Sequence, residues 1–149
     1  MIIQKTLYVK PDLSRKRWVV IDAKGQTLGR LASVVSNILQ GKYKTDYTPF
    51  WDNGDNVIII NSKYVKLTGK KYNDMLYRWH TDYPGGIKEF SYNNLLKRDP
   101  SRPLYLTIKG MLPKNKLRKK LLRNLRIYPE DKHPHVAQNP EVIDISKYL

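Results

Sequence analysis

From Arg17 to Asp22 the chain reads RWVVID, a short β-branched apolar run closed by a polar turn containing Gly25, and the pattern predicts a buried strand. Leu28, Leu31, Val35 and Ile38 then recur at helical spacing, with Thr27 placed to cap the start and Gly41 to stop the end. After a polar loop rich in Lys, Tyr and Asp comes NVIIIN, Asn56 to Asn61, a second buried strand. Strand, helix, strand predicts a parallel βαβ unit.

Beyond that unit the pattern thins. Val65 to Leu67 and Met75 to His80 fit short strands or extended segments, flanked by turns at Gly69 and at Pro84-Gly85-Gly86. Ser91 to Lys97 and Pro103 to Leu112 fit helices, although Leu104, Leu106 and Ile108 also alternate as a strand would. Pro113 opens a further helix expected to run from Lys114 to about Arg126, with Ile127-Tyr128 adding an edge strand. Residues 129–149, with Pro129, Pro134 and Pro140, are expected to be extended, and they turn acidic. The organisation expected is a single domain, with an N-terminal extension over 1–16, a core over 17–128 and a C-terminal tail over 129–149.

Charge changes the picture most. The chain carries 28 Lys and Arg against 13 Asp and Glu, a formal net charge of +15, and self-repulsion of that size calls for a compensating partner. The excess is concentrated from Lys109 to Arg126, which holds eight Lys or Arg and no acid. At 100° per residue Lys116, Lys119, Lys120 and Arg123 share one helix face, while Leu117, Leu121, Leu122 and Leu125 gather on the other. A merely solvated charged face would mix signs to gain i,i+4 pairs, and this one cannot, so the segment points to a polyanion.

Composition narrows the classes. With 40% hydrophobic residues the chain should fold, and at this length a domain buries about 70% of its unfolded surface. Cys is absent, which removes disulfides, thiolate zinc sites and cysteine nucleophiles together. No apolar run approaches the roughly 20 residues of a membrane span, and the first residues lack the apolar core of a secretory signal and the Arg/Ser-rich character of a transit peptide. A soluble protein is expected.

Smaller signals agree with a polyanion partner. The loop GKYKTDYTPFWDNGD interleaves Lys42 and Lys44 with Tyr43, Tyr47, Phe50 and Trp51, so that cations hold phosphates while aromatics stack on bases or simply anchor the loop. Gly69-Lys70-Lys71 and Gly85-Gly86-Ile87-Lys88 pair flexible backbone with charge, as a close approach to a phosphate backbone requires. Enzyme readings fail on spacing. Tyr64 stands where a phosphate-binding loop needs its first glycine, with Lys71 where it needs Ser or Thr, and Gly25 and Gly29 lack dinucleotide-site spacing. Asp46, Asp52 and Asp55 have no nucleophile or His nearby, and a turn accounts for Asn53-Gly54-Asp55. His133 and His135 lack further spaced ligands, so packing or hydrogen bonding to RNA is preferred over a metal site. No catalytic residue, metal or cofactor is expected.

Taken together the residues resemble the large-subunit ribosomal protein L13 family in its bacterial and plastid form. The likeness spans nearly the whole chain: Trp18 to Asp22 followed by Leu28-Gly29-Arg30-Leu31-Ala32; Gly41-Lys42, Lys44 and Tyr47-Thr48-Pro49; Asp52, Gly54-Asp55 and the strand ending at Asn61. Thr68-Gly69, Lys71, Tyr77, His80, Gly85-Gly86 and Lys88 continue it, and Lys109-Gly110-Met111-Leu112-Pro113-Lys114 with His133-Pro134-His135 and Ala137-Gln138 is its most specific block. The chain departs from the family pattern at Tyr43 (commonly His), at Asp82 and Arg118 (both usually Gly) and at Pro129 (more often Ala or Ser).

The resemblance implies a three-layer α/β/α core with a short, mainly parallel sheet, no catalytic activity, and binding to large-subunit rRNA early in assembly beside neighbouring large-subunit proteins. The residues expected to contact RNA are Lys42, Lys44 and Tyr47 in the aromatic loop, Lys70 and Lys71, and Arg78, His80, Gly85, Gly86 and Lys88 around the second turn. With them stand Lys109, Lys114, Lys116, Arg118, Lys119, Lys120, Arg123 and Arg126 of the basic segment, and His133 and His135. The place of work is then the ribosome, in plastid stroma or bacterial cytoplasm, and Lys, Asn, Tyr and Ile usage inclines the reading to a plastid gene. A free regulatory RNA-binding protein is the alternative. Recognition should run through shape and backbone, because A-form RNA hides its major groove.

Overall fold

The structure, a computed structural model, describes residues 16–145. The expected N-terminal extension, Lys16 apart, and the last residues of the tail lie outside the described residues. The first unit is as the pattern predicts: β1 (Trp18–Asp22), α1 (Leu28–Gln40) and β2 (Asn56–Ile60), with the strands parallel and Val19 opposite Val57 and Ile21 opposite Ile59. Helix α1 ends on Gly41 at φ +73°, whose N–H donates to the Ile38 carbonyl at 3.0 Å, a left-handed stop. Its start differs from expectation. Thr27 occupies the cap position, but its hydroxyl makes no capping bond; Leu28 N–H instead donates to the Lys66 carbonyl at 3.0 Å. The expected strand at Val65 to Leu67 is accordingly one parallel bridge, Thr27 to Lys66.

A short helix α2 (Lys71–Asp74) leads into an antiparallel hairpin of β3 (Leu76–His80) and β4 (Ile87–Ser91). Next come α3 (Tyr92–Arg98), capped by the Ser91 hydroxyl accepting from Asn94 N–H, and α4 (Arg102–Met111). The alternation in α4 is overruled by its helical stripe, and Pro103 sits in the first turn, where no N–H is missed.

The basic helix is shorter than expected. Helix α5 covers Leu117–Arg123, and Leu125–Ile127 forms β5, paired with β2. Lys114 and Lys116 therefore precede the helix, and Arg126 lies beyond it. The break is at Asn124, whose carbonyl accepts from Val57 N–H at 2.9 Å. From there the chain gains a sheet ladder that further helical turns would forgo. In the tail, β6 (Glu141–Val142) adds a parallel strand to β1. The four-stranded sheet runs β5-β2-β1-β6, parallel throughout, in the α/β class expected.

One sheet face, with Val19, Ile21, Val57, Ile59 and Leu125, packs with Leu31, Val35 and Leu39 of α1, Leu104 and Ile108 of α4, and Leu121 of α5. Each such side chain, fully buried, contributes about 1.5–3 kcal/mol. Val20 and Ile58 alternate to the opposite face with Trp18, whose ring stacks on His135 of the tail at 5.2 Å.

Candidate nucleic-acid interface

Helix α5 and its flanks separate cationic from apolar side chains as the sequence predicts, although Lys116 stands at the cap position before the helix and Leu125 in β5 after it. Lys116, Lys119, Lys120 and Arg123 are exposed; Leu121 and Leu125 are buried, and Leu117 and Leu122 half-buried. Lys109, Lys114 and Arg126 are exposed as well, while Arg118 is half-buried. Among the described residues none of these eight cations forms an ion pair with a carboxylate. The Arg126 guanidinium turns back to donate to the Arg123 and Leu125 carbonyls, satisfying the helix end. The arrangement is a positive ridge fastened to the core by leucines.

The aromatic loop lies against this ridge. Gly54 carries its close approach: a Cβ there would stand 1.7 Å from the Leu39 carbonyl oxygen, so the loop touches the end of α1 backbone to backbone. Packing, rather than the turn alone, therefore requires that glycine. Lys42, Tyr47 and Trp51 meet Pro113, Asn115, Leu117 and Leu121 around a shallow cleft of 170 Å³. Tyr47 and Trp51 keep over a third of their surface exposed, which leaves ring surface available to a partner.

Lys44 does not share that role. Its ammonium lies 2.6 Å from the Asp55 carboxylate and donates to the Asn53 carbonyl at 2.9 Å. Asp55 is completely buried and also accepts from the Tyr43 hydroxyl and from Arg17 N–H, the latter at 3.1 Å. Burial alone would raise this carboxyl, but the hydrogen bonds from Lys44, Tyr43 and Arg17 outweigh it and hold it below its ordinary value. The Tyr43 hydroxyl is pushed up to about 12 by burial and by its bond to Asp55. A phosphate would have to compete with Asp55 for Lys44, which makes that cation part of the loop's internal clasp. Sequence reasoning misses this hub, since a lysine between two tyrosines looks like a surface cation.

The remaining expected residues are more scattered. Arg78 pairs across the hairpin with Glu89 at 2.9 Å, and His80 Nδ1 accepts from Asp82 N–H at 3.0 Å. Gly85 and Asp82 both have positive φ, +69° and +61°, which gives a physical reason for glycine being usual at position 82. Gly86 is required sterically, because a Cβ there would meet the Thr81 hydroxyl at 2.2 Å. Lys88 is exposed on the hairpin, and Lys70 and Lys71 are exposed at α2. His135 accepts or donates a 2.9 Å hydrogen bond with the Tyr128 hydroxyl and packs on Trp18, which fastens the tail, while half-buried His133 stacks beside His135 and accepts from its N–H at 3.3 Å. Among the described residues there is no group of three or more His, Cys, Asp or Glu side chains fit to hold a metal. No helix among them is long and apolar enough to cross a membrane.

A basic ridge without carboxylate partners among the described residues thus lies beside a partly exposed aromatic loop on a parallel α/β core. The sequence model described as Ribosomal protein L13 matches residues 16–134, most of the chain. The chain belongs to the ribosomal protein L13 family. It is similar to the large ribosomal subunit protein uL13 of Caldicellulosiruptor bescii, at 49% identity over 95% of this chain and 99% of that protein. The protein of the same name from Thermotoga petrophila is 46% identical over 96% of each chain, and that from Aeromonas salmonicida 43% over 95% and 99%. These relatives are bacterial, and the inclination to a plastid gene gains no support from them.

Proposed function

We propose that the chain is a structural constituent of the large ribosomal subunit, which binds large-subunit rRNA beside other ribosomal proteins and supports subunit assembly without catalysing a reaction. The observation that carries the reading is the exposed cationic face of α5 and its flanks, from Lys109 to Arg126, free of carboxylate partners among the described residues. A ridge of this kind gains affinity by releasing counterions from phosphates, while buried Leu121 and Leu125 keep it in place. Lys42 and Tyr47 extend the same surface across the cleft, and Lys70, Lys71 and Lys88 supply further contacts. The relatives' name, large ribosomal subunit protein, supports the same reading, as does their bacterial origin for a cytoplasmic ribosome. The chain acts in this reading as one domain.

Sucrose-gradient fractionation of an extract tests it. The protein is expected to cosediment with large subunits and to withstand a moderate salt wash, because many distributed phosphate interactions must break together before it dissociates. Recovery mainly as free protein, or with the small subunit, contradicts the proposal and favours a free regulatory RNA-binding protein.

A further inference from the structure

A groove with a volume of 850 Å³ lies between the β3–β4 hairpin and helices α3 and α4, and shares with the flank of the α5 ridge Lys109 alone. That volume falls within the roughly 300–1,000 Å³ of pockets that enclose organic ligands. One wall is aromatic. Tyr77, Trp79 and Phe90 project from the same face of the hairpin, since Tyr77 pairs directly with Phe90. Trp79 and Phe90 stack at 5.2 Å with planes 14° apart, and Trp79 remains 44% exposed. The other wall is cationic: Arg98, Arg102 and Lys109 line it, and all three are exposed. The Arg98 guanidinium also sits over the Phe90 ring, 6.0 Å from its centre. The acid in the groove is Asp99, whose carboxylate already accepts from Ser101 N–H at 3.0 Å.

We propose that this groove receives an unpaired RNA segment, a bulged or looped-out nucleotide whose base stacks on the Trp79–Phe90 wall while its phosphate is held by Arg98, Arg102 and Lys109. The inference rests on the rRNA-binding reading and adds a second mode of contact to it. The α5 ridge offers charge along a helix, suited to the backbone of an A-form duplex. The groove offers ring faces, which a duplex cannot use because its bases are stacked on each other, whereas an extruded base presents a free face. Charge complementarity separates the candidates further: three cations lining a groove beside the exposed Trp79 ring fit a phosphate and its base together. An acidic protein segment would use the cations and leave the rings without a stacking partner.

The test uses the full-length protein and three probes: a fluorescent single-stranded 12-nucleotide oligouridine, an RNA duplex of equal length, and an oligoglutamate peptide. Trp79→Ala is expected to weaken oligouridine binding at least about fivefold and to leave duplex binding within about twofold, with Trp79→Phe restoring most of the loss. Because Trp79→Ala could disturb the hairpin, Arg98→Gln with Arg102→Gln serves as a second variant. It should melt like the parent and flatten the salt dependence of oligouridine binding by about 0.7 for each phosphate no longer neutralised, with duplex binding unchanged. Equal losses on single strand and duplex overturn the proposal, as does oligouridine binding that ignores both variants. Peptide binding that alone depends on these residues overturns it in favour of a protein partner. A parent protein that binds neither RNA probe contradicts the rRNA-binding reading itself, a result distinct from failure of the groove.

Discussion

The side-chain amide of Asn124 donates to both carboxylate oxygens of Asp52, at 3.1 and 3.2 Å, and so joins the turn after α5 to the aromatic loop. Asp52 also holds Lys16 at 2.6 Å, with both side chains largely withdrawn from water. The basic ridge and the aromatic loop thus share one fastening, 72 residues apart in sequence. Asp52→Ala is expected to cost about 1–3 kcal/mol, because it leaves the amide and the ammonium without their acceptor. Combined with Asn124→Ala in urea unfolding, it should show a coupling of about 0.5–3 kcal/mol; strictly additive losses would mean that the interaction carries nothing.

A second clasp lies at Asp55. Asp55→Ala leaves Lys44 charged and unpaired in the loop interior and is expected to destabilise by about 3–5 kcal/mol, read from thermal or urea melts. A change under about 1 kcal/mol would remove the clasp from the account.

The same cluster sets pH dependence. The Asp55 carboxyl is lowered on folding from its ordinary 3.8, so its contribution is present above that value and is lost as pH falls through its folded value. The Tyr43 hydroxyl is raised from 10.0 to about 12, so its contribution is complete below pH 10 and is lost between about 10 and 12. Tyr43→Phe should therefore flatten the alkaline fall in stability. Some slope should remain, since burial also raises Tyr92 to about 12. An unchanged alkaline limb in Tyr43→Phe would contradict the assignment.

Gly54→Ala is expected to lower stability by at least about 3 kcal/mol, since its Cβ has backbone carbonyl in its place and no flexible side chain to displace. Gly29→Ala, in open space on α1, should be neutral or stabilising, and equal melting of the two variants would contradict the close approach.

What is legible in the sequence, and what is hidden, follows from where the information lies. The β1–α1–β2 unit can be read because its apolar spacing is local and unbroken. The two faces of α5 can be read for the same reason. The helix boundary cannot: Leu121, Leu122 and Leu125 continue the helical stripe, and only the edge of β2, supplied by distant residues, converts Leu125–Ile127 to strand. Strand β6, two residues long, exists only through its pairing with β1. Lys44 and Asp55 read separately, as a phosphate contact and as a turn residue, because nothing local says they meet in the interior. The aromatic wall needs the hairpin register to bring Trp79 beside Phe90.

The apolar side of α5 supplies the next expectation. Leu121 is 4% exposed, and Leu121→Ala should cost about 2–5 kcal/mol of stability while RNA affinity falls only as folded protein is lost. A variant that melts like the parent would show that this side is not seated on the core.

The most direct measurement is the salt dependence of binding to a large-subunit rRNA fragment for the variant with Lys116, Lys119, Lys120 and Arg123 all changed to Gln. These four side chains are exposed and make no ion pairs among the described residues, so the variant should melt close to the parent. Its plot of log K against log salt should be flatter by about 0.7 to 0.9 for each phosphate no longer neutralised. A folded variant that keeps the parent's full slope would contradict the assignment of the α5 ridge as the phosphate-binding face.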